Sequence, residues 1–185
     1  CYWPWSEDHR HAIRLIETTR DWNARHGGVY VLVTDDTRPN PYLVHPRRDV
    51  VTLDGQRMTM VNPAFMTRQL AELAERTDGI RLRLTSLRPL RPDNTPDPWE
   101  AEALAAFERG VPERLSLVDT GGGPVHRYMA PLHVTGPCLQ CHAADGYRLG
   151  DIRGGVSVTM PAATLLELRD AQRQRVAGMF LAAFA

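Results

Sequence analysis

The sequence contains no lysine and no excess of charge of either sign. All 22 of its basic residues are arginines, and they balance 22 acidic residues. A surface that binds nucleic acid should show a clustered basic excess, so this balance argues against a nucleic-acid-binding protein. We attribute the absence of lysine to genome composition, although guanidinium groups are also well suited to pairing with carboxylates. The length of 185 residues and the hydrophobic content of 43% fit one domain with a substantial core.

The sequence also lacks an apolar run long enough to cross a membrane. Residues 176–185 are apolar throughout, but ten residues cover only about half of a bilayer span. The sequence starts at Cys1 without a methionine, and no signal peptide is recognisable in it. We therefore expect a segment of a longer protein with flanking membrane helices, in which Trp3 and Trp5 lie at the lipid interface. The alternatives are a buried terminal helix, a loose aromatic N-terminus and a lipidated Cys1.

Cysteine is scarce, yet two of the three cysteines form a specific motif. The motif is Cys138-Leu139-Gln140-Cys141-His142. Two thiols three positions apart, followed at once by histidine, are the arrangement that a covalently attached c-type haem requires. Each thiol adds to one vinyl group of the porphyrin, and the histidine binds the iron as its proximal axial ligand. The motif therefore predicts one haem c, attached through Cys138 and Cys141 and ligated by His142.

The low cysteine count limits the other interpretations of this motif. A zinc site needs four ligands, and Cys1 is the only other cysteine, so His126, His133 or another lone imidazole would have to contribute. A thioredoxin-like dithiol needs a helix start in a strand–helix–strand context, whereas residues 136–137 and 143–146 resemble a loop with one helical turn. A disulfide within the motif would close too small a loop to stabilise much. Because bacteria attach haem c outside the cytoplasm, the motif also predicts an extracytoplasmic, periplasmic domain.

Hydrophobic periodicity predicts helices at both ends of the chain. The first helix runs from Ser6 to about Arg25, and its predicted buried face comprises Ala12, Ile13, Ile16 and Trp22. A second helix begins at Asn62-Pro63, with Met66, Leu70 and Leu73 on one apolar face. A short helix covers 99–107, and a long C-terminal helix begins at Pro161.

Between these helices the sequence alternates as strands do. The predicted strands cover 29–34, 50–53, 58–60, 80–87, 115–119, 125–134 and 155–160. We predict an α+β fold with a central antiparallel sheet, compatible by analogy with a PAS-like sensor module. The predicted divisions are an N-terminal membrane-proximal helix (1–28), the haem-binding part (29–160) and a C-terminal helix running towards a membrane segment (161–185).

Several sequence blocks follow one another in the order typical of a known family. They are Leu84-Thr85-Ser86-Leu87, residues 91–100, 127–132, the haem motif and 150–158, within a span from Asn62 to Met160. The chain thus resembles the extracytoplasmic c-haem sensor domains with a PAS-like fold. Such domains commonly precede a membrane helix that leads to a histidine kinase, a chemoreceptor or a nucleotide cyclase. The resemblance implies sensing of redox state or of a small ligand through the haem, with dimerisation through the terminal helices.

The second axial ligand is less clearly indicated. Some relatives place a cysteine on the helix after the first strands, where this chain has no cysteine but does have Met66. We predict Met66 as the ligand, with core packing as its alternative role. His26 is the second candidate ligand. Its alternative role is that of a cation at a helix C-terminus. His126 and His133 are seven positions apart in one strand and so face opposite sides, which means that at most one of them can face the haem on a given side. The further possibility is an open iron that binds a diatomic gas.

Three arginines flank the haem motif and could pair with haem propionates. They are Arg127, Arg148 and Arg153. Solvation at the surface is the ordinary role for any one of them.

The function that we predict is a haem sensor domain that signals to a downstream output module. The alternative is a periplasmic electron-transfer cytochrome, which needs the same haem but no neighbouring membrane segment. An enzyme such as a peroxidase needs a general acid–base residue at an open distal site, and no distal His/Arg pair is recognisable in the sequence. We therefore expect no enzymatic activity.

Overall fold

A computed structural model describes residues 5–143 and 145–162 of the chain. The helices and strands in this part are α1 (Trp5–Arg25), β1 (Val29–Leu32), β2 (Asp49–Val51), β3 (Arg57–Val61), α2 (Pro63–Asp78), β4 (Arg81–Thr85), α3 (Pro98–Phe107), β5 (Arg114–Asp119), β6 (Pro124–His133), α4 (Leu139–His142) and β7 (Ile152–Pro161). Short 3₁₀ turns cover Pro92–Asn94 and Gly136–Cys138. The α+β class predicted from the sequence is confirmed.

The strands form two antiparallel sheets. One has the order β1-β3-β2 and the other β4-β7-β6-β5, so the prediction of a single central sheet needs correction. Only short-range pairing, such as the β2–β3 hairpin, can be read from turn residues, whereas the division into sheets depends on long-range contacts. The pairing of β6 with β7 shifts register between Leu132 and His133. Such an irregularity bends a strand, and here it lies just before the haem motif.

Helix ends lie where the sequence predicts them. Asn62 caps α2 by accepting a hydrogen bond from the Phe65 N–H at 2.9 Å, and Pro63 occupies the first turn. Gly28 follows α1 with φ of 92°, and a Cβ atom there would lie 2.8 Å from Met60 Cγ. Glycine therefore both ends this helix and lets β3 approach it closely.

Two apolar clusters pack against the larger sheet, one on each of its faces. One cluster combines Ile13 of α1 with side chains of β6 and β7, including Tyr128 and Val158. The other packs the inward face of α3 against Met129, and that face comprises Ala103, Leu104 and Phe107. Ala103, Leu104 and Phe107 are all buried, so this short helix contributes directly to the core.

The predicted apolar faces of α1 and α2 are only partly buried. Ile13 is buried, but Trp22, Leu70 and Leu73 are 53%, 43% and 50% exposed, and Ala12 is exposed as well. The reason is that polar groups contribute to the α1–α2 contact, which hydrophobic periodicity does not detect. In that contact Arg20 Nη1 donates to Pro63 O and to Thr67 Oγ1 at 3.1 and 2.9 Å, and Asn23 Nδ2 donates to the Met66 sulfur at 3.6 Å.

Predictions about the chain ends lie largely outside the described residues. These are the C-terminal helix beyond residue 162 and the roles of Cys1 and Trp3. Within the part that the structure describes, no helix is both long enough and apolar enough to cross a membrane.

Candidate cofactor site

The haem motif lies on the loop that joins β6 to β7. Backbone hydrogen bonds close the base of this loop, from the Val134 N–H to Asp151 O at 2.8 Å and from the Gly150 N–H to Val134 O at 2.9 Å. Inside the loop a 3₁₀ turn (Gly136–Cys138) leads directly into the single turn of α4. Because β6 and β7 are antiparallel neighbours in one sheet, the motif does not have the context of a thioredoxin-like dithiol.

The two cysteines occupy successive parts of this loop. Cys138 is a half-buried free thiol at the end of the 3₁₀ turn, and its Sγ lies 3.2 Å from Thr135 Oγ1. Cys141 belongs to α4, and its side chain lies outside what the structure describes.

His142 is oriented by a hydrogen bond to an acid. Its Nδ1 lies 3.1 Å from Asp145 Oδ2. With the Asp145 carboxylate as acceptor, Nδ1 donates, and in the neutral imidazole Nε2 then keeps its lone pair. The imidazole also meets the buried Tyr147 ring edge-on, with centroids 6.1 Å apart. A carboxylate behind one ring nitrogen is the usual support for a histidine that binds a metal through the other nitrogen.

Two adjoining cavities open beside this loop. The larger cavity has a volume of about 530 Å³ and the smaller cavity about 250 Å³. Six residues line both of them: Arg20, Asn62, Ala64, Leu132, His142 and Arg153. Cys138 lines the larger cavity but not the smaller one. The larger cavity thus brings a motif cysteine and the motif histidine to one space, and its volume lies in the range of about 300–1,000 Å³ typical of cofactor pockets.

Several elements of the fold form the wall of the larger cavity. About two turns of α1 line it, from Glu17 to Ala24, together with the segment from Val134 to Cys138. Apolar side chains contribute much of the remaining wall: Leu43, Met60, Ala64, Leu132 and Pro137. Burial raises the pKa of Glu17, although its interactions with His133, Arg20 and Arg14 oppose this. The apolar side chains of the wall favour a ligand with a large apolar surface.

Arginine dominates the smaller cavity. Its arginines are Arg20, Arg68, Arg83, Arg91 and Arg153, and its one carboxylate is that of Asp93. Burial lowers the pKa of Arg20 to about 10, while the neighbouring Cys138 and Glu17 partly offset this. At neutral pH the guanidinium is still charged, so the smaller cavity is cationic.

Neither predicted second axial ligand lines these cavities. Met66 faces α1, and its sulfur accepts from Asn23 Nδ2 at 3.6 Å. His26 is exposed at the end of α1, where its Nδ1 lies 2.7 Å from Trp22 O and its ring stacks near the Trp22 ring. His26 thus occupies the helix C-terminal position given as its alternative role. Ligation by Met66 stays a prediction that requires its sulfur to leave Asn23.

The two histidines of β6 differ in their surroundings, as their odd spacing predicts. His126 is buried, whereas His133 is exposed and lines the larger cavity. His133 Nδ1 lies 3.2 Å from Gly150 O and so donates to that carbonyl, which leaves Nε2 with its lone pair.

Of the three arginines predicted near the haem, one lines the cavities. Arg153 lines both cavities and donates from Nη1 to Ser86 Oγ at 2.9 Å. Arg127 instead pairs with Asp97 at 2.7 Å, and Arg148 is exposed and lines neither cavity. The flanking position in sequence therefore identified one of the cavity arginines.

Arg20 and His45 were not among the residues singled out for the site. His45 is half-buried and lines the larger cavity. The sequence pattern could have identified Arg20, because Ile13, Ile16, Arg20 and Asn23 follow one another at spacings of three and four and so lie on one face of the helix. A charged residue on an inward-facing stripe indicates a polar function inside the protein.

The described residues give no support to a zinc site. In residues 5–143 and 145–162, three or more His, Cys, Asp or Glu side chains nowhere come together as metal ligands, apart from the undescribed Cys141 side chain.

Comparison with known proteins identifies a family for this sequence and a solved structure with a similar fold. Residues 6–161 match the family model described as Tll0287-like. A solved structure described as the cyanobacterial heme-protein Tll0287 aligns with a TM-score of 0.57 and 19% identity, over 86% of this chain and 97% of that chain. At that identity the likeness shows a shared fold alone. Comparison with curated protein sequences gave no match.

Proposed function

This chain belongs to the Tll0287-like family, and from that premise we propose that it is a PAS-like sensor domain carrying one covalent haem c. The solved structure that shares its fold is described as that of a heme-protein. The sensor detects redox state or a small ligand outside the cytoplasm and signals to an output module. No catalytic step is assigned to the domain.

The observation that carries this proposal is the shared wall of the larger cavity. Cys138 and His142 both line it, and Asp145 holds the His142 ring with Nε2 free to bind a metal. The mostly apolar wall suits a porphyrin, which is a large apolar ring with charge confined to its propionates. The donor set and the cavity therefore fit haem c.

Each residue of the motif has a distinct role in this proposal. Cys138 and Cys141 form the two thioethers, and His142 is the proximal iron ligand. Asp145 fixes the histidine tautomer and makes the imidazole a stronger donor. When bound, the haem supplies an iron that changes oxidation state and can take a diatomic ligand.

The position of α1 supports sensing. This helix lines the larger cavity from Glu17 to Ala24 and packs against the Gly136–Cys138 turn. A change of haem position or charge therefore acts directly on a helix that lies near the end of the domain. In the full protein we propose that terminal helices carry this change to a membrane segment, in a homodimer.

Haem attachment is tested by expression together with the c-type maturation machinery, followed by a pyridine haemochrome assay. A thioether haemochrome is expected for the wild type and for the matched variant His126→Gln, whose residue lines neither cavity. Cys138→Ala with Cys141→Ala should give none. Failure of the wild type to carry haem, in cells that mature another cytochrome c, would overturn the proposal.

The second axial ligand is tested by spectra of Met66→Ala. A six-coordinate ferrous spectrum that becomes five-coordinate in this variant assigns Met66. An unchanged six-coordinate spectrum assigns a cavity residue, and His133→Ala and His45→Ala then identify it. A five-coordinate wild type that binds carbon monoxide indicates an open iron.

Hydrogen exchange distinguishes a sensor from the alternative, an electron-transfer cytochrome. A sensor should show altered amide exchange in α1 between the ferric, ferrous and carbon-monoxide-treated forms. An electron carrier should show the same exchange in all three, since its function requires little reorganisation. Equal exchange throughout α1 would favour the carrier.

A further inference from the structure

The charges of the smaller cavity are not balanced by the described part of the chain. Five arginines line it. Arg83 pairs with Glu100 at 3.0 Å, and Arg91 pairs with Asp93 at 2.6 Å. The other three form no ion pair within 4.0 Å with a described carboxylate, and they are Arg20, Arg68 and Arg153. We call these three the unpaired arginines.

Arg20 and Arg153 have neutral partners only. Arg20 uses Nη1 for both of its hydrogen bonds, to Pro63 O and Thr67 Oγ1, so its Nε and Nη2 donate to no described residue. Arg153 donates from Nη1 to Ser86 Oγ and Arg88 O, and its Nε is buried without an acceptor. A buried donor without an acceptor is costly, and since Arg20 and Arg153 line the cavity, their unused N–H groups are available to a ligand there.

Arg68 lies near one other cation and two carboxylates. Its guanidinium stacks over the Phe65 ring at 4.5 Å. Burial lowers the pKa of Arg68, and the neighbouring Arg91 lowers it further, while Glu72 and Asp93 act in the opposite direction. A partly buried guanidinium beside a second cation attracts an anion.

We propose that the smaller cavity is a carboxylate-binding site in which Arg20, Arg68 and Arg153 are the ligands. Guanidinium groups pair with carboxylates in a fork geometry, and Asn62, which also lines the cavity, supplies a further polar group. The carboxylates have two possible sources, the propionates of the haem or a free small dicarboxylate. For the first source the inference rests on the proposed function.

The arrangement of the cavities favours the propionates. Cys138 lines only the larger cavity, whereas Arg68 lines only the smaller one, and His142 lines both. A porphyrin carries its vinyl groups and its propionates on different edges. A haem attached by its vinyl edge in the larger cavity can therefore direct its carboxylates to the unpaired arginines.

The first experiment compares haem with its dimethyl ester, which lacks the carboxylates. The Cys138→Ala/Cys141→Ala protein retains His142 and should bind either compound without a covalent bond. Haem should bind about tenfold or more tightly than the ester, as expected for one or two charged hydrogen bonds. Arg68→Gln and Arg20→Lys should reduce this preference, and Arg109→Gln, an exposed arginine outside both cavities, should not.

The second experiment measures succinate binding by calorimetry to the haem-free double variant and to the covalently loaded wild type. Succinate that binds only the haem-free form, and more weakly in Arg68→Gln, identifies the propionates as the natural carboxylates. Binding to both forms identifies a free dicarboxylate. The succinate result stands even where the protein takes up no haem, so failure of the proposed function does not obscure it.

Two outcomes together would overturn the carboxylate site. In the first, haem and its ester bind with equal affinity, or neither binds, whether or not Arg20 or Arg68 is substituted. In the second, succinate binds neither the haem-free nor the haem-loaded protein. Circular dichroism on Arg68→Gln and Arg20→Lys separates a lost site from a lost fold.

Discussion

Two groups of arginines in this domain differ in what balances their charge. Arg83 and Arg127 face the carboxylates of Asp97 and Glu100, and we call these four residues the paired network. The unpaired arginines, on the cavity side, donate hydrogen bonds to neutral groups or stack on an aromatic ring, and none forms an ion pair within 4.0 Å with a described carboxylate. Arginines paired within the chain stabilise the fold, whereas inward-facing arginines without a carboxylate partner are available to a ligand.

The paired network joins α3 to the larger sheet. Glu100 is fully buried and accepts from Arg83 Nη1 at 3.0 Å, from Ser157 Oγ at 2.5 Å and from the Asp97 N–H at 3.0 Å. Asp97 caps α3 and accepts from Arg127 Nη2 at 2.7 Å. Each carboxylate therefore serves both the helix end and the arginines of neighbouring strands.

The largest effect is expected from neutralising the buried acid of the paired network. Glu100→Gln keeps the shape of the side chain but leaves Arg83 and Arg127 undercompensated, which should destabilise the fold by about 3–5 kcal/mol. The matched control, Glu102→Gln, removes a 67% exposed partner of Arg114 and should change stability by less than about 0.5 kcal/mol. Urea unfolding measures both variants. Equal losses would show that burial of the pair makes no difference.

A smaller, pH-dependent effect is expected at Asp97. Burial alone would raise the pKa of Asp97, but hydrogen bonds from Arg127 and the Glu100 N–H, together with the nearby arginine charges, hold it below its ordinary value. A carboxyl with a lowered folded-state pKa stabilises the fold above its unfolded pKa of about 4, and this contribution is lost as pH falls through the folded value. Asp97→Asn keeps a capping side chain and should cost roughly 1 kcal/mol at pH 7.

Unfolding of wild type and Asp97→Asn from pH 7 to about pH 2 checks this prediction, in a range set by the unfolded pKa. The two stability curves should converge on the acid side. A difference that stays constant with pH would assign the loss to the cap rather than to the charge.

The smallest effect is expected on the cavity side. In the haem-free protein, Arg68→Gln removes the repulsion between Arg68 and Arg91, which should stabilise the fold. It also removes the cation–π contact with Phe65, which should destabilise the fold. Its stability should therefore change by less than about 0.5 kcal/mol, as measured by urea unfolding against wild type. A loss as large as that of Glu100→Gln would place Arg68 with the paired network instead.

Local signals predicted much of this domain because they depend on neighbouring residues. The Asn62-Pro63 cap, the glycines after α1 and the single helical turn at the haem motif follow from backbone preferences and motif spacing. These signals gave the helices, most strands and the α+β class.

Features that depend on long-range contacts were not predictable in the same way. The strands divide into two sheets, and α2 leaves Leu70 and Leu73 exposed because hydrogen bonds of Arg20 and Asn23 connect it to α1. Sequence proximity to the haem motif likewise did not separate Arg127 from Arg153. What separates them is the buried Glu100, 27 residues before Arg127 in the sequence.

Covalent haem at the motif is tested most directly by the intact mass of the denatured protein. The protein is produced with the c-type maturation machinery, as wild type and as Cys138→Ser with Cys141→Ser. We predict a wild-type mass greater by one haem and no added mass in the double variant. A wild type without added mass, from cells that load another cytochrome c, would contradict haem attachment by this domain.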